Sequence, residues 1–363
     1  MYSKKEKVII WLSTFKFLTY KKCKTILDNI DDLENLIDDV DRYRSVLSQV
    51  LKPDEINEFK AKSDLKLTES IIANYDKLNV YMLTYLSHDY PELLKEIDTP
   101  PIILYCKGNI KLLSSPCVGV VGTRRATKYG KDITYDLVKD IASSNITVVS
   151  GLADGIDAVA HTATLDVKGK TIAVIASGFN YIYPSANVPL YDKILSNGGL
   201  VVSEYRVNEK PQSYNFPVRN RIIAGLSKAV IIAEATEKSG SMHTKNYALD
   251  YGREVFAVPG RLSDIYSNGC NKLIKSGQAT MLLSSKDVVD FYGTELKCHK
   301  ENKVLQLSLE ESCVYELLKV GEMHYNELLT ASGLEPRKLN TLLMRLEINS
   351  VIKKLPGNVY SIY

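Results

Sequence analysis

The chain has 363 residues, 45% of them hydrophobic and 25% charged, with a formal net charge of +3. This composition excludes a disordered or fibrous chain and leaves room for two or three domains around a sizeable core. The near-neutral balance excludes a molecule-wide attraction for nucleic acid, so any such site must be a local patch.

No apolar run reaches membrane-spanning length, and residues 8–12 form too short a run for a signal peptide. The six cysteines, Cys23, Cys106, Cys117, Cys270, Cys298 and Cys313, lie far apart with no C-x-x-C pair. That argues against a disulfide framework or a zinc site, and the expected location is cytoplasmic.

Residues 1–66 read as a small helical domain. Trp11, Leu12, Phe15 and Leu18 fall at helical spacing, as do Leu33, Leu36, Ile37 and Val40. Asp28, Asp31, Asp32, Glu34, Asp38 and Asp39 make the second of these segments acidic. Such a face repels phosphate and suits solvated surface or a protein partner.

Residues 67–295 change texture. Strand-like Val80-Tyr81-Met82-Leu83 and Ile102-Ile103-Leu104-Tyr105 lead into a regular alternation of all-apolar runs with amphipathic segments. The runs are residues 117–121, 147–150, 171–175, 200–203, 229–232 and 254–258. Apolar strands separated by helices predict a parallel sheet covered on both faces, a doubly wound, extended Rossmann-like α/β domain. A polar linker at 294–303 follows. Residues 304–363 predict three helices and a hairpin around Pro356-Gly357-Asn358, a winged helix. Its third helix offers only Arg337, Lys338 and Arg345 as bases, so protein contact is as well supported as duplex binding.

In a doubly wound sheet, ligands bind beyond the carboxyl ends of the strands. The strand ends here carry Gly122-Thr123-Arg124-Arg125, Ser150-Gly151, Ser177-Gly178, Ser239-Gly240-Ser241 and Pro259-Gly260-Arg261. Glycine beside hydroxyls lets backbone N–H groups approach an anion closely. The densest stretch is Phe216-Pro217-Val218-Arg219-Asn220-Arg221. In a loop leading into a helix, Arg219 and Arg221 converge on an anion; within a helix they diverge. Pro217 suits a helix start, and Phe216 before it favours an extended backbone that presents its ring. The same stretch also suits a capped helix with solvated arginines and a core phenylalanine.

Neither G-x-G-x-x-G nor G-x-x-x-x-G-K-[ST] occurs, so no dinucleotide or ATP cofactor is indicated. Asp157 and His161 share a helix face, a pairing that more often braces a helix than abstracts a proton. No catalytic or metal-ligand cluster stands out. The site is suited to holding phosphates rather than breaking bonds.

Taken together, Val121-Gly122-Thr123-Arg124, Ser150-Gly151-Leu152-Ala153-Asp154-Gly155-Ile156-Asp157 with His161, residues 216–225, Glu234-Ala235 with Ser239-Gly240-Ser241, and Phe256-Ala257-Val258-Pro259-Gly260 resemble the DNA-processing protein A (DprA/Smf) family. The motifs match in order and spacing across residues 90–280. The resemblance implies a sterile-alpha-motif-like front module and a winged-helix end. It further implies a single-strand DNA-binding protein that loads the RecA recombinase in recombination and natural transformation. It implies a homodimer made through the α/β domain, and no catalysis. By motif, Arg124 is the phosphate-binding arginine, Phe216, Arg219 and Asn220 belong to the strand-binding loop, and Ser239, Gly240 and Ser241 line the same pocket. Met242-His243 departs from the smaller aliphatic pair expected there.

A groove for single strands needs cations for the backbone and π-faces for unstacked bases. Arg124, Arg219 and Phe216, with Tyr183 or Tyr214, supply both. An alternative is a hydrolase of a nucleotide's N-glycosidic bond, using Ser239-Gly240-Ser241 beside Glu234 or Glu237. A third reading, a duplex-reading regulator, is weakened by the balanced charge of the winged helix.

Overall fold

The computed structural model describes residues 2–295, 307–349 and 351–362. The chain divides into two compact units, residues 1–299 and 300–363. Most of the expected linker, from residue 296 onward, lies outside the described residues.

The first helix, Lys4–Leu12, begins with a capping box: the Ser3 N–H donates to Glu6 Oε2 at 2.8 Å and the Ser3 hydroxyl accepts from the Glu6 N–H. Helices Tyr20–Asn29, Pro53–Ala61 and Leu65–Lys77 follow, and Trp11, Phe15 and Phe59 meet ring to ring beneath them. Leu33, Leu36, Ile37 and Val40 are buried as their spacing predicts, but around a 3-10 turn, Leu33–Asn35, rather than an α-helix. Flanking aspartates compete for backbone donors and favour such turns. Of the acidic residues, Asp32 pairs with Arg42 at 2.8 Å and Glu34 with Lys5 at 3.6 Å.

The expected boundary at residue 66 is not a break in packing. The apolar residues of the N-terminal helices share one core with Met82, Ile103, Tyr105 and Ala173 of the sheet. Tyr75 stacks on Tyr105 with centroids 5.2 Å apart, and the Arg206 guanidinium donates to the Ser13 carbonyl. Composition changes at that point, but the hydrophobic contacts run straight through it.

The sheet has nine strands: β1 (Tyr81–Thr84), β2 (Ile103–Gly108), β3 (Cys117–Val121), β4 (Thr147–Ser150), β5 (Thr171–Ile175), β6 (Leu200–Ser203), β7 (Ala229–Ile232), β8 (Glu254–Ala257) and β9 (Thr280–Met281). Their order is β1-β2-β6-β5-β4-β3-β7-β8-β9. From β6 to β9 every pairing is parallel; β2 joins β6, and β1 joins β2, antiparallel. Alternation along β3 and β7 explains the all-apolar runs. Val118, Val120, Ala229 and Ile231 enter one core, whereas Cys117, Val121, Val230 and Ile232 enter another on the opposite face. The chain order reverses between β3 and β7, so a crevice opens where the connections leave these strands in opposite directions.

The second unit holds helices Leu309–Val320, Tyr325–Ser332 and Pro336–Ile348. A three-stranded sheet pairs β10 (Met323–His324) with β12 (Val359–Ile362), and β12 with β11 (Ile352–Leu355). The hairpin turns at Gly357 and Asn358, with φ of 82° and 61°, which this pair of residue types accommodates. This is the expected winged helix. On its third helix Lys338 pairs with Glu310, and Met344 and Ile348, one turn apart, are exposed.

Candidate nucleic-acid interface

Beyond the carboxyl ends of the parallel strands lies a pocket of about 590 Å³. The loop after β3 supplies Gly122, Thr123, Arg124 and Arg125, the turn after β4 supplies Ala153, and the helix Ile156–Asp166 that follows supplies Asp157. Tyr183 comes from the segment after β5, and Phe216, Arg219 and Asn220 from the helix after β6. Ser239, Gly240, Ser241 and Thr244 come from the β7 side. The pocket therefore spans the reversal point of the sheet.

Its floor is a buried cation. The helix Asn215–Leu226 begins before Phe216, so Pro217 sits in its first turn, where a missing N–H costs nothing. Phe216 is thus helical rather than extended. Arg219 lies on the same face as Ile222, Ile223 and Leu226, and is buried with them. Its Nη1 donates to the Gly151 carbonyl at 2.7 Å and to the Val174 carbonyl. One guanidinium thereby ties the end of β4 to that of β5. Its Nε donates to Asn220 Oδ1 at 3.1 Å. Burial pulls the Arg219 pKa down to about 10, with nearby Asp157 opposing the shift and Arg124 adding to it, so the side chain stays charged at neutral pH.

Asp157 is buried beside it and accepts from the Gly151 N–H at 3.1 Å. Burial raises its pKa, against the attraction of Arg219. Gly151 is fixed by close approach: a Cβ there would lie 2.6 Å from both Arg219 Nη2 and Asp157 Oδ2. His161 is fully buried, with Nδ1 2.7 Å from the Thr171 hydroxyl. That hydroxyl donates to the Val148 carbonyl at 2.7 Å, so the His161 Nδ1–H is the donor in their shared bond. Burial, reinforced by Arg219, pulls the His161 pKa down to about 3. Asp157 and His161 each serve a different strand end, in keeping with a bracing role.

The rim is built differently. Arg124 is exposed, its guanidinium carbon 5.2 Å from the centroid of the Phe216 ring. Tyr183 meets Phe216 edge-on with centroids 5.4 Å apart. Asn220 donates to the Gly240 carbonyl at 3.3 Å, bridging the β6 and β7 sides. The Ser239 and Ser241 hydroxyls lie 2.8 Å apart at the start of helix Ser241–Asp250. One turn on, the buried Thr244 hydroxyl has no hydrogen-bond partner among the described residues.

Gly122, Thr123, Arg124, Phe216, Arg219, Asn220, Ser239, Gly240 and Ser241 thus line one pocket, with Gly151 just behind its floor. Arg221 does not join them. Two positions past Arg219 it points elsewhere, pairing with Glu204 at 2.6 Å and donating to the Thr99 hydroxyl at 3.2 Å. The expected convergence of both arginines on one anion is corrected: a helix, not a loop, carries them. Arg125, Tyr183, His243 and Thr244 line the pocket beyond the selected set. Thr244 was accessible to sequence reasoning, since it follows Ser241 at i+3. The carboxylates of the hydrolase reading are engaged elsewhere. Glu234 accepts from the Thr127 N–H and hydroxyl at 2.8 and 2.6 Å, and Glu237 pairs with Lys272 at 2.7 Å.

Fold and site together define a doubly wound α/β protein whose pocket at the reversal point is lined by arginines, hydroxyls and aromatic rings, followed in the chain by a winged helix. The chain belongs to the DNA-processing protein A (DprA/Smf) family: residues 81–293 match the family model of DNA recombination-mediator protein A, and residues 300–358 match the DprA winged helix domain. It is 44% identical over 221 residues to the DNA processing protein DprA of Bacillus subtilis (strain 168), covering 61% of this chain and 74% of that one. The X-ray structure of DprA from Streptococcus pneumoniae superposes with a TM-score of 0.62 and 35% identity, covering 80% of this chain and 98% of that one. DNA processing protein A from Helicobacter pylori, whose structure describes a single-stranded DNA binding mode, gives a TM-score of 0.53 and 34% identity over 59% of this chain and 95% of that one. Among the described residues, no helix is long and apolar enough to cross a membrane.

Proposed function

We propose that this protein binds single-stranded DNA in the pocket at the reversal point and delivers the strand to the RecA recombinase, without itself changing the DNA covalently. The observation that carries the reading is Arg124 over the Phe216 ring, 5.2 Å from its centroid, at an open rim. It sets a cation with no ion pair among the described residues, suited to a phosphate, beside a π-face for an unstacked base. The single-strand binding described for the Helicobacter pylori relative supports the same choice of ligand. Delivery to RecA, in recombination or natural transformation, rests on family membership, as does action in the cytoplasm. The free thiols Cys23, Cys106, Cys117, Cys270 and Cys313 accord with that compartment.

The acting form is a homodimer joined through the α/β domain. Next to the short edge strand β9, Leu283 is largely exposed and Met281 and Phe291 are about half exposed, an apolar strip for a second copy. Light scattering at micromolar concentration tests this directly, and a monomer refutes it. The binding reading is tested by gel shift with matched single- and double-stranded oligonucleotides at two salt concentrations. Preference for the single strand is expected; equal affinities at physiological salt overturn it.

A further inference from the structure

A second cleft, of about 790 Å³, lies on the other side of the segment leading into the helix Asn215–Leu226. One wall is the turn after the first helix and the start of the helix Tyr20–Asn29, with Lys16 and Tyr20; the other is the loop after β6, with Tyr205, Lys210 and Tyr214. The two clefts share a ridge. Ser213 lines the first, while its neighbours Gln212 and Tyr214 line the second. The ridge is anchored from below, because buried Asn215 donates from its amide to the Ala176 carbonyl at 3.2 Å.

We propose that this cleft is a second nucleic-acid subsite, taking the continuation of the single strand as it leaves the first pocket over the Tyr214 ridge. The inference rests on the reading of the first pocket as a single-strand site. Four observations carry it. Tyr214 is 69% exposed, two positions before Phe216, so a ring is offered on each side of the ridge. Lys16 and Lys210 are exposed and form no ion pair among the described residues, and Lys210 lies 5.7 Å from the centroid of the Tyr181 ring. Of the two acids in the lining, Glu204 is already neutralised by Arg221 at 2.6 Å, which leaves Glu209 against Lys16, Lys210 and Arg206. Arg206 holds the walls together through the Ser13 carbonyl, so the cleft is part of the folded unit and not a loose gap. Free cations interleaved with aromatic rings along a groove are what a sequence-tolerant single strand requires.

The experiment uses the full chain and fluorescence anisotropy with labelled homothymidines of about 4 to about 16 nucleotides, a range spanning common single-strand site sizes. Affinity of the unaltered protein is expected to rise with length as the strand crosses the ridge. The double variant Lys16→Gln/Lys210→Gln keeps the affinity of the shortest strand within about twofold and loses most of the rise, and its log-affinity against log-salt slope for long strands falls by about 1.4, two phosphates at about 0.7 each. Tyr214→Ala lowers long-strand affinity by roughly tenfold, and more than it lowers short-strand affinity. Melting temperatures confirm that both variants fold. A length dependence and slope identical to those of the unaltered protein overturn the second subsite and leave the first pocket standing. Equal competition by oligo-glutamate of matched charge also overturns it, since a generic polyanion surface makes no use of the rings. Absence of binding at every length in the unaltered protein overturns both readings together.

Discussion

Arg219 and Arg124 stand at the floor and the rim of one pocket and are used in opposite ways. Arg219 is buried, spends its donors on the Gly151 and Val174 carbonyls and on Asn220, and has its pKa pulled down by burial to about 10. Arg124 is exposed and lies over an aromatic ring. Charge alone therefore does not identify a ligand-binding arginine. What distinguishes the two is whether the donors are already committed to protein carbonyls. The floor cation fixes the shape of the pocket, and the rim cation forms no ion pair among the described residues.

The sharpest way to break this comparison is to remove the floor. Arg219→Ala removes the donor to two strand-end carbonyls and the cation beside buried Asp157, and a loss of roughly 3–5 kcal/mol of stability is expected in denaturant unfolding. A fully stable Arg219→Ala protein that has lost only DNA binding would move Arg219 to the ligand side. Phe216→Ala comes next, at roughly 1–3 kcal/mol of binding free energy with the salt slope almost unchanged, because stacking releases no counterions. Phe216 is half-buried, so its melting temperature should fall much less than that of Arg219→Ala. A large fall, with binding per folded molecule intact, returns Phe216 to the core.

Protonation sharpens the floor further. The His161 pKa is about 3 in the folded chain, against an ordinary 6.5 when unfolded. Between those values the unfolded chain binds the extra proton, so stability is full above pH 6.5 and declines as pH falls. The decline from this group is about 1.4 kcal/mol at pH 5.5. His161→Gln should flatten that part of the melting-temperature profile; an unchanged acid limb refutes the assignment. The smallest effect is at the rim, where Arg124→Ala should leave the melting temperature alone and reduce the log-affinity against log-salt slope by roughly 0.7. An unchanged slope detaches Arg124 from phosphate.

Much of this architecture is legible in the residues. The apolar runs mark β3 to β8 because both sheet faces are covered, and the glycine-hydroxyl loops mark the strand ends. Arg219 was legible too, since it heads the series Arg219, Ile222, Ile223, Leu226 at i, i+3, i+4 and i+7, the core stripe of its helix. Reading the stretch as a loop hid that pattern and brought Arg221 into the site. Two features lay out of reach. Strand β9 has two residues, too few for any periodicity to register. The continuity of the N-terminal helices with the sheet depends on which apolar faces meet, as Tyr75 and Tyr105 do, and composition records only that the texture changes near residue 66.

The helix Asn215–Leu226 carries floor and rim of the pocket side by side, Arg219 turned inward and Asn220 bridging to Gly240. Unfolding that helix abolishes both at once, so the pocket has no existence apart from the folded domain. Any molecule that occupies the pocket then draws the folding equilibrium toward the native state by mass action, by about 2.7 kcal/mol at a free concentration one hundred times its dissociation constant. An unlabelled thermal melt in the presence of candidate oligonucleotides becomes a direct occupancy assay, and a ranking of strands by upward shift in melting temperature is a ranking by affinity.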